Sequence, residues 1–232
     1  MIEEFKKVSP LRILEGSQEK GLGAGEMGVI IARAGVGKTA CLIHFAFDTL
    51  FRNQKLVHIS LDDTPEKINS YYDVIFSDLA RAMGIGEEAE VRQAVEGNRM
   101  ILAYLKHSFD VERLRGNLRN LVERAGFDPH TLVLDGIDFE ATGRETFEGL
   151  KELAAEFRTG IWFSALSHRH IQEVNERGVP YPCHNVDDLF SIILQLQPEE
   201  DGVFLRLLKD KECGSSKGVS LLLDPRTFLA RP

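Results

Sequence analysis

Ala32-Arg33-Ala34-Gly35-Val36-Gly37-Lys38-Thr39 fits the pattern G-x-x-x-x-G-K-[ST], with Ala in place of the leading Gly. An apolar strand-length run, Met27 to Ala32, precedes it, and a helical pattern follows with Leu42, Phe45, Ala46 and Leu50 on one face. Strand, glycine turn and helix in that order are what a phosphate-binding loop requires. Glycines at 35 and 37 let the backbone wrap so that successive N–H groups point at phosphate oxygens. Lys38 brings a positive charge to the outer phosphates, and Thr39 offers a hydroxyl to a magnesium ion. The helix that follows adds its N-terminal dipole. The phosphate-contacting run is then Ala34, Gly35, Val36, Gly37, Lys38, Thr39 and Ala40. A glycine-rich turn with an incidental lysine would satisfy the same letters without needing both flanks.

Outward from this loop, strand-length apolar runs alternate with longer stretches of helical period, which marks an α/β chain with a mostly parallel sheet. Strands are expected at 55–61, 101–105, 131–134 and 161–165. Helices are expected from Thr64-Pro65, after Gly84-Ile85-Gly86, from Asp110 with the stripe Val111, Leu114, Leu118 and Leu121, and around 147–157. The last runs, 189–196, 203–208 and 219–223, follow one another without a helix, which predicts antiparallel strands at one sheet edge. No repeat or long linker divides the chain, so residues 1–232 read as one domain.

A magnesium-binding loop needs a carboxylate at the end of a neighbouring strand, and Thr131-Leu132-Val133-Leu134-Asp135 supplies one in the Walker B manner. Asp138 reads as a loop carboxylate. Formal net charge is −8, which sets the whole-molecule field against polyanions. No apolar run is long enough to span a membrane and the charged opening carries no signal-peptide core, so a cytoplasmic location is expected. Three cysteines, Cys41, Cys183 and Cys213, form no CxxC pair, and reduced thiols are expected.

From Gly21 to about Leu223 the sequence resembles the RecA-like P-loop ATPases, in the branch of DnaB-type helicases, KaiC clock ATPases and RadA-like recombination factors. The likeness rests on Gly25-Glu26-Met27-Gly28-Val29-Ile30-Ile31-Ala32 leading into the loop, on His58-Ile59-Ser60-Leu61-Asp62, and on the two Walker elements. It implies ATP and Mg2+ as ligands, with Thr39 and Asp135 at the metal and Lys38 at the phosphates. It also implies Asp62 where the family has a water-activating Glu, and His168 as the γ-phosphate sensor where Gln is common. Lys209 and Lys211 stand at a Lys-x-Arg element that reaches a neighbour's nucleotide. Asp62 is one methylene shorter than Glu, and Lys211 lacks the planar fork of Arg, so slow hydrolysis is implied. Local alternatives stay open: a helix cap for Asp62 or Asp63, an ordinary loop role for His168, and solvated hairpin charges for both lysines.

The resemblance further implies a homo-oligomer, a hexameric ring being one form, whose nucleotide state governs assembly or the binding of a protein partner. A module that binds nucleotide without turnover is the alternative, and a DNA-dependent motor is a third. The loops that hold DNA in such rings are acidic here: 136–149 sets Asp138, Glu140, Glu145 and Glu148 against Arg144. In 168–188, Glu173, Glu176, Asp187 and Asp188 stand against Arg169 and Arg177. Nucleic acid is therefore not favoured. Arg113, Arg115, Arg119 and Arg124 are interleaved with Glu112 and Glu123 and read as a solvated helix face. Tyr71, Tyr72 and Phe76 read as packing, and His168, Arg169, His170, Cys183 and His184 make poor zinc spacing.

Overall fold

Eight strands form one sheet in the order β3-β2-β4-β5-β1-β6-β7-β8. They are β1 Met27–Ala32, β2 Leu56–Ser60, β3 Arg99–Ala103, β4 Thr131–Asp135, β5 Gly160–Leu166, β6 Ile192–Glu199, β7 Gly202–Lys209 and β8 Ser220–Leu223. The computed structural model describes residues 1–14, 21–168, 171, 173–211 and 218–231. Arg169, His170 and Cys213, named above, lie outside the described residues.

The strands from β3 to β6 are parallel, and β7 and β8 are antiparallel. Alternation along β1 explains the two cores: Val29 and Ile31 face one side of the sheet, Ile30 and Ala32 the other. Helices α1 (Ile2–Val8), α2 (Lys38–Phe51), α3 (Pro65–Met83) and α4 (Glu88–Gly97) cover the second face. Helices α5 (Val111–Ala125) and α6 (Arg144–Glu156) cover the first. Tyr72 and Phe76 pack on Phe47 in the core, while Tyr71 lies at the surface.

Several expectations need adjusting. Strand β3 starts two residues before the expected Ile101, because parallel pairing with β2 begins at Leu56↔Arg99, and residue 105 falls beyond it. Strand β6 starts at Ile192 instead of 189. It is also not antiparallel on both sides: it adds to β1 in parallel and turns antiparallel only towards β7. Helix α1 and the 3-10 turn Pro10–Leu14 are not among the expected elements. They bury Phe5, Ile13 and Leu14 against α2 and the C-terminal strands. Among the described residues, no helix is long and apolar enough to cross a membrane.

Candidate functional site

Gly35 and Gly37 take φ values of +74° and +101°, which turn the chain from β1 into α2. Helix α2 opens at Lys38 with its first N–H groups unpaired within the helix. The Lys38 ammonium folds over the loop and lies 3.4 Å from the Ala32 carbonyl and 3.3 Å from that of Arg33. Burial pulls its pKa down, and the negative charges of Asp135 and Asp62 oppose that shift. All three groups therefore share one electrostatic environment.

Strand β5 lies between β1 and β4, yet Thr39 donates its hydroxyl proton to Asp135 Oδ2 at 2.6 Å. The other carboxylate oxygen, Oδ1, accepts from the Ser164 hydroxyl, and Ser164 Oγ accepts the Gly136 N–H at 3.2 Å. Asp135 is thus buried with both oxygens oriented. Ser164 is absent from the sequence-based site. Its only signal there is a polar residue within the apolar run Ile161-Trp162-Phe163-Ser164-Ala165. Replacing Ser164 by Ala removes a hydrogen bond to a buried carboxylate. The expected loss is about 1.5–3 kcal/mol of folding stability, measured by urea denaturation.

Asp62 sits two residues past the end of β2, where the backbone of Leu61 still bonds to the Asp135 carbonyl at 2.9 Å. Its Oδ1 forms an ion pair with Lys106 at 2.6 Å, a partner that the sequence did not indicate. Gly136, at φ +90°, backs the same carboxylate: a Cβ there would come 2.6 Å from Asp62 Oδ2. Asp62 and Asp63 do not cap α3. Thr64 does, accepting the Lys67 N–H, while Asp63 pairs with the Lys67 side chain at 2.6 Å.

These groups border a cleft of ≈ 480 Å3 at the carboxyl ends of the parallel strands. Lys38, Thr39, Asp62, Asp135, Lys106 and His168 all contribute to its wall. His168 Nε2 lies 2.6 Å from Glu140 Oε1. Asp138 accepts the N–H groups of Glu140 and Ala141, as a loop carboxylate does in an Asx turn. Among the described residues, the arginines of the acidic loops are taken up internally: Arg144 pairs with Glu148 and Asp188, and Arg177 with Asp187. On α5, Arg115 and Arg119 pair with Glu156. Among the described residues, no group of three or more His, Cys, Asp or Glu side chains could hold a metal ion on its own.

Lys209 and Lys211 lie away from this cleft. Lys209 stands opposite Ile193, near the start of β6, and donates to the Asp187 carbonyl at 2.8 Å. Lys211 pairs with Glu26, the residue before β1. Both are at the amino ends of the parallel strands, opposite to the loop that follows β1. No family model matches the chain, and no curated protein matches it significantly.

Proposed function

We propose that the chain is a RecA-like P-loop ATPase that binds Mg-ATP in this cleft and hydrolyses it slowly. Its nucleotide state then sets self-assembly or the binding of a protein partner. The observation that carries the reading is the meeting of Lys38, Thr39 and Asp135 across an intervening strand, at the carboxyl edge of a parallel sheet. Ligands of open α/β sheets bind at that edge. A hydroxyl and a carboxylate are hard oxygen donors suited to magnesium, and Thr39 and Asp135 would hold it. The bound ion would neutralise phosphate charge. Lys38 and the N–H groups at the start of α2 would bind the phosphates, Asp62 would orient water, and His168 would face the terminal phosphate.

The positions of Lys209 and Lys211 leave them no role in their own chain's cleft, so any nucleotide contact would be made to a second copy. Each would first have to leave its present partner, which favours weak coupling between subunits. The non-hydrolysing module stands as a second reading because Asp62, the water-orienting acid, is engaged by Lys106.

Phosphate release from Mg-ATP by purified protein tests this, run at several protein concentrations with and without single-stranded DNA. Lys38→Ala should lower turnover about 10²-fold or more. Failure of the wild-type chain to bind Mg-ATP would remove the reading. Binding without phosphate release would establish the module instead, and stimulation by DNA would favour a motor.

A further inference from the structure

The Asp62 and Lys106 ion pair is the feature of the cleft that the nucleotide reading does not explain. Lys106 begins a 3-10 turn, Lys106–Ser108, just past β3. Tyr104 N–H donates to the Ser60 carbonyl at 2.9 Å, which holds the β3 exit beside the end of β2. From there the lysine reaches Asp62 Oδ1 at 2.6 Å, with 55% of its side chain and 53% of that of Asp62 exposed. Pairs this exposed contribute little to folding, so stability does not account for the arrangement.

Charge accounts for it better. Among the described residues, five carboxylates line the cleft: Asp62, Asp63, Asp135, Asp138 and Glu140. Against them stand two lysines among the lining residues, Lys38 and Lys106. Lys38 belongs to the loop and lies over the loop's own carbonyls. A polyphosphate that reaches past it would meet the acidic far wall, where Lys106 is the lysine on hand. Lys106 Nζ and Asp62 Oδ1 are in contact, so an anion brought to the water-orienting carboxylate is brought to the ammonium as well.

We propose that Lys106 contacts the γ-phosphate of a nucleotide bound in its own chain, exchanging Asp62 for phosphate when a triphosphate enters. This rests on the nucleotide reading of the cleft. The exchange supplies in cis a cation at the terminal phosphate and releases Asp62 to orient water, so a diphosphate would leave the ion pair in place. Lys106 thereby distinguishes triphosphate from diphosphate.

Equilibrium titration with Mg-ATP and Mg-ADP reads this directly. Lys106→Gln should weaken Mg-ATP about tenfold and leave Mg-ADP within about twofold, since only the triphosphate meets the missing charge. Lys106→Arg should restore most of the preference. Unchanged Mg-ADP binding also verifies that the variant is folded. Mixing Lys106→Gln with Lys38→Ala subunits should recover no hydrolysis, because each cleft lacks one of its own lysines. Equal weakening of both nucleotides, no change in either, or recovery on mixing would overturn the proposal while leaving the nucleotide site intact. Absence of nucleotide binding by the wild-type chain would instead remove the site itself, and the role of Lys106 with it.

Discussion

Between pH 6.5 and about pH 4 folding stability should fall by about 2.7 kcal/mol per pH unit, owing to two fully buried histidines. His44 on α2 donates from Nε2 to the Thr227 carbonyl at 2.7 Å, and its Nδ1 is buried with no partner. Burial lowers its pKa to about 4, the carbonyl bond opposing the shift only in part. His58 on β2 shares a 3.1 Å hydrogen bond between Nδ1 and the Tyr72 hydroxyl, and its Nε2 is likewise buried without a partner. Burial, aided by the positive charge of Arg99, lowers its pKa to about 3.

In the unfolded chain both rings take up a proton near pH 6.5, while the folded chain keeps them neutral. The unfolded state therefore binds more protons as pH falls, so stability is full above about 6.5 and declines below it. Two protons at about 1.4 kcal/mol per unit amount to roughly 7 kcal/mol by pH 4, comparable with the whole stability of an ordinary domain. Asp224 acts in a lower window. The N–H groups of Thr227 and Arg226, with Arg231, hold its pKa at about 2, so its contribution is present above about 3.9 and fades only below. Urea denaturation at a series of pH values measures the slope, and His58→Leu should halve it. A flat profile from pH 6.5 to 4 would rule out both histidines as the cause.

Gly37→Ala should cost about 3 kcal/mol or more, and most of that loss should depend on Phe228. The glycine has φ +101°, and an added Cβ would lie 1.9 Å from Cζ of the Phe228 ring. That ring belongs to the C-terminal segment, which is positioned by the Asp224 turn, by His44 at Thr227 and by the Ala230 N–H bonded to the Val8 carbonyl. The glycine loop between β1 and α2 is thus backed by residues close to the end of the described chain. Phe228→Ala alone should cost about 3 kcal/mol as a buried aromatic is lost. The double substitution should cost less than the sum by about 1–3 kcal/mol, because the clash disappears with the ring and only the backbone strain remains. Additivity within about 0.5 kcal/mol would show that the loop moves away from Phe228 freely.

Much of the site is legible in the sequence because its chemistry is local. Gly35, Gly37, Lys38 and Thr39 lie within one turn of chain, and positive φ, the start of a helix and a preceding apolar strand all leave short-range marks. The cap of α5 by Asp110 and the strand ending at Asp135 were legible for the same reason. The N-terminal helix was not, since it is only seven residues long and Phe5 alone among them is fully buried. The direction of β6 was also hidden: a short connection to β7 shows one hairpin, while its other edge pairs with β1, more than a hundred residues earlier.

By itself the sequence determined the alternating α/β plan, the glycine turn between β1 and α2 and the carboxylate that ends β4, since each follows from the order and type of adjacent residues. The tertiary structure decided which distant groups share the cleft. Sheet order put Ser164 on Asp135 across one strand boundary and brought Lys106 from the β3 exit to Asp62. It also laid Phe228 over Gly37, and it sent Lys209 and Lys211 to the opposite end of the strands. These contacts join segments that approach only when the whole sheet has formed, and no local pattern of residues carries that information.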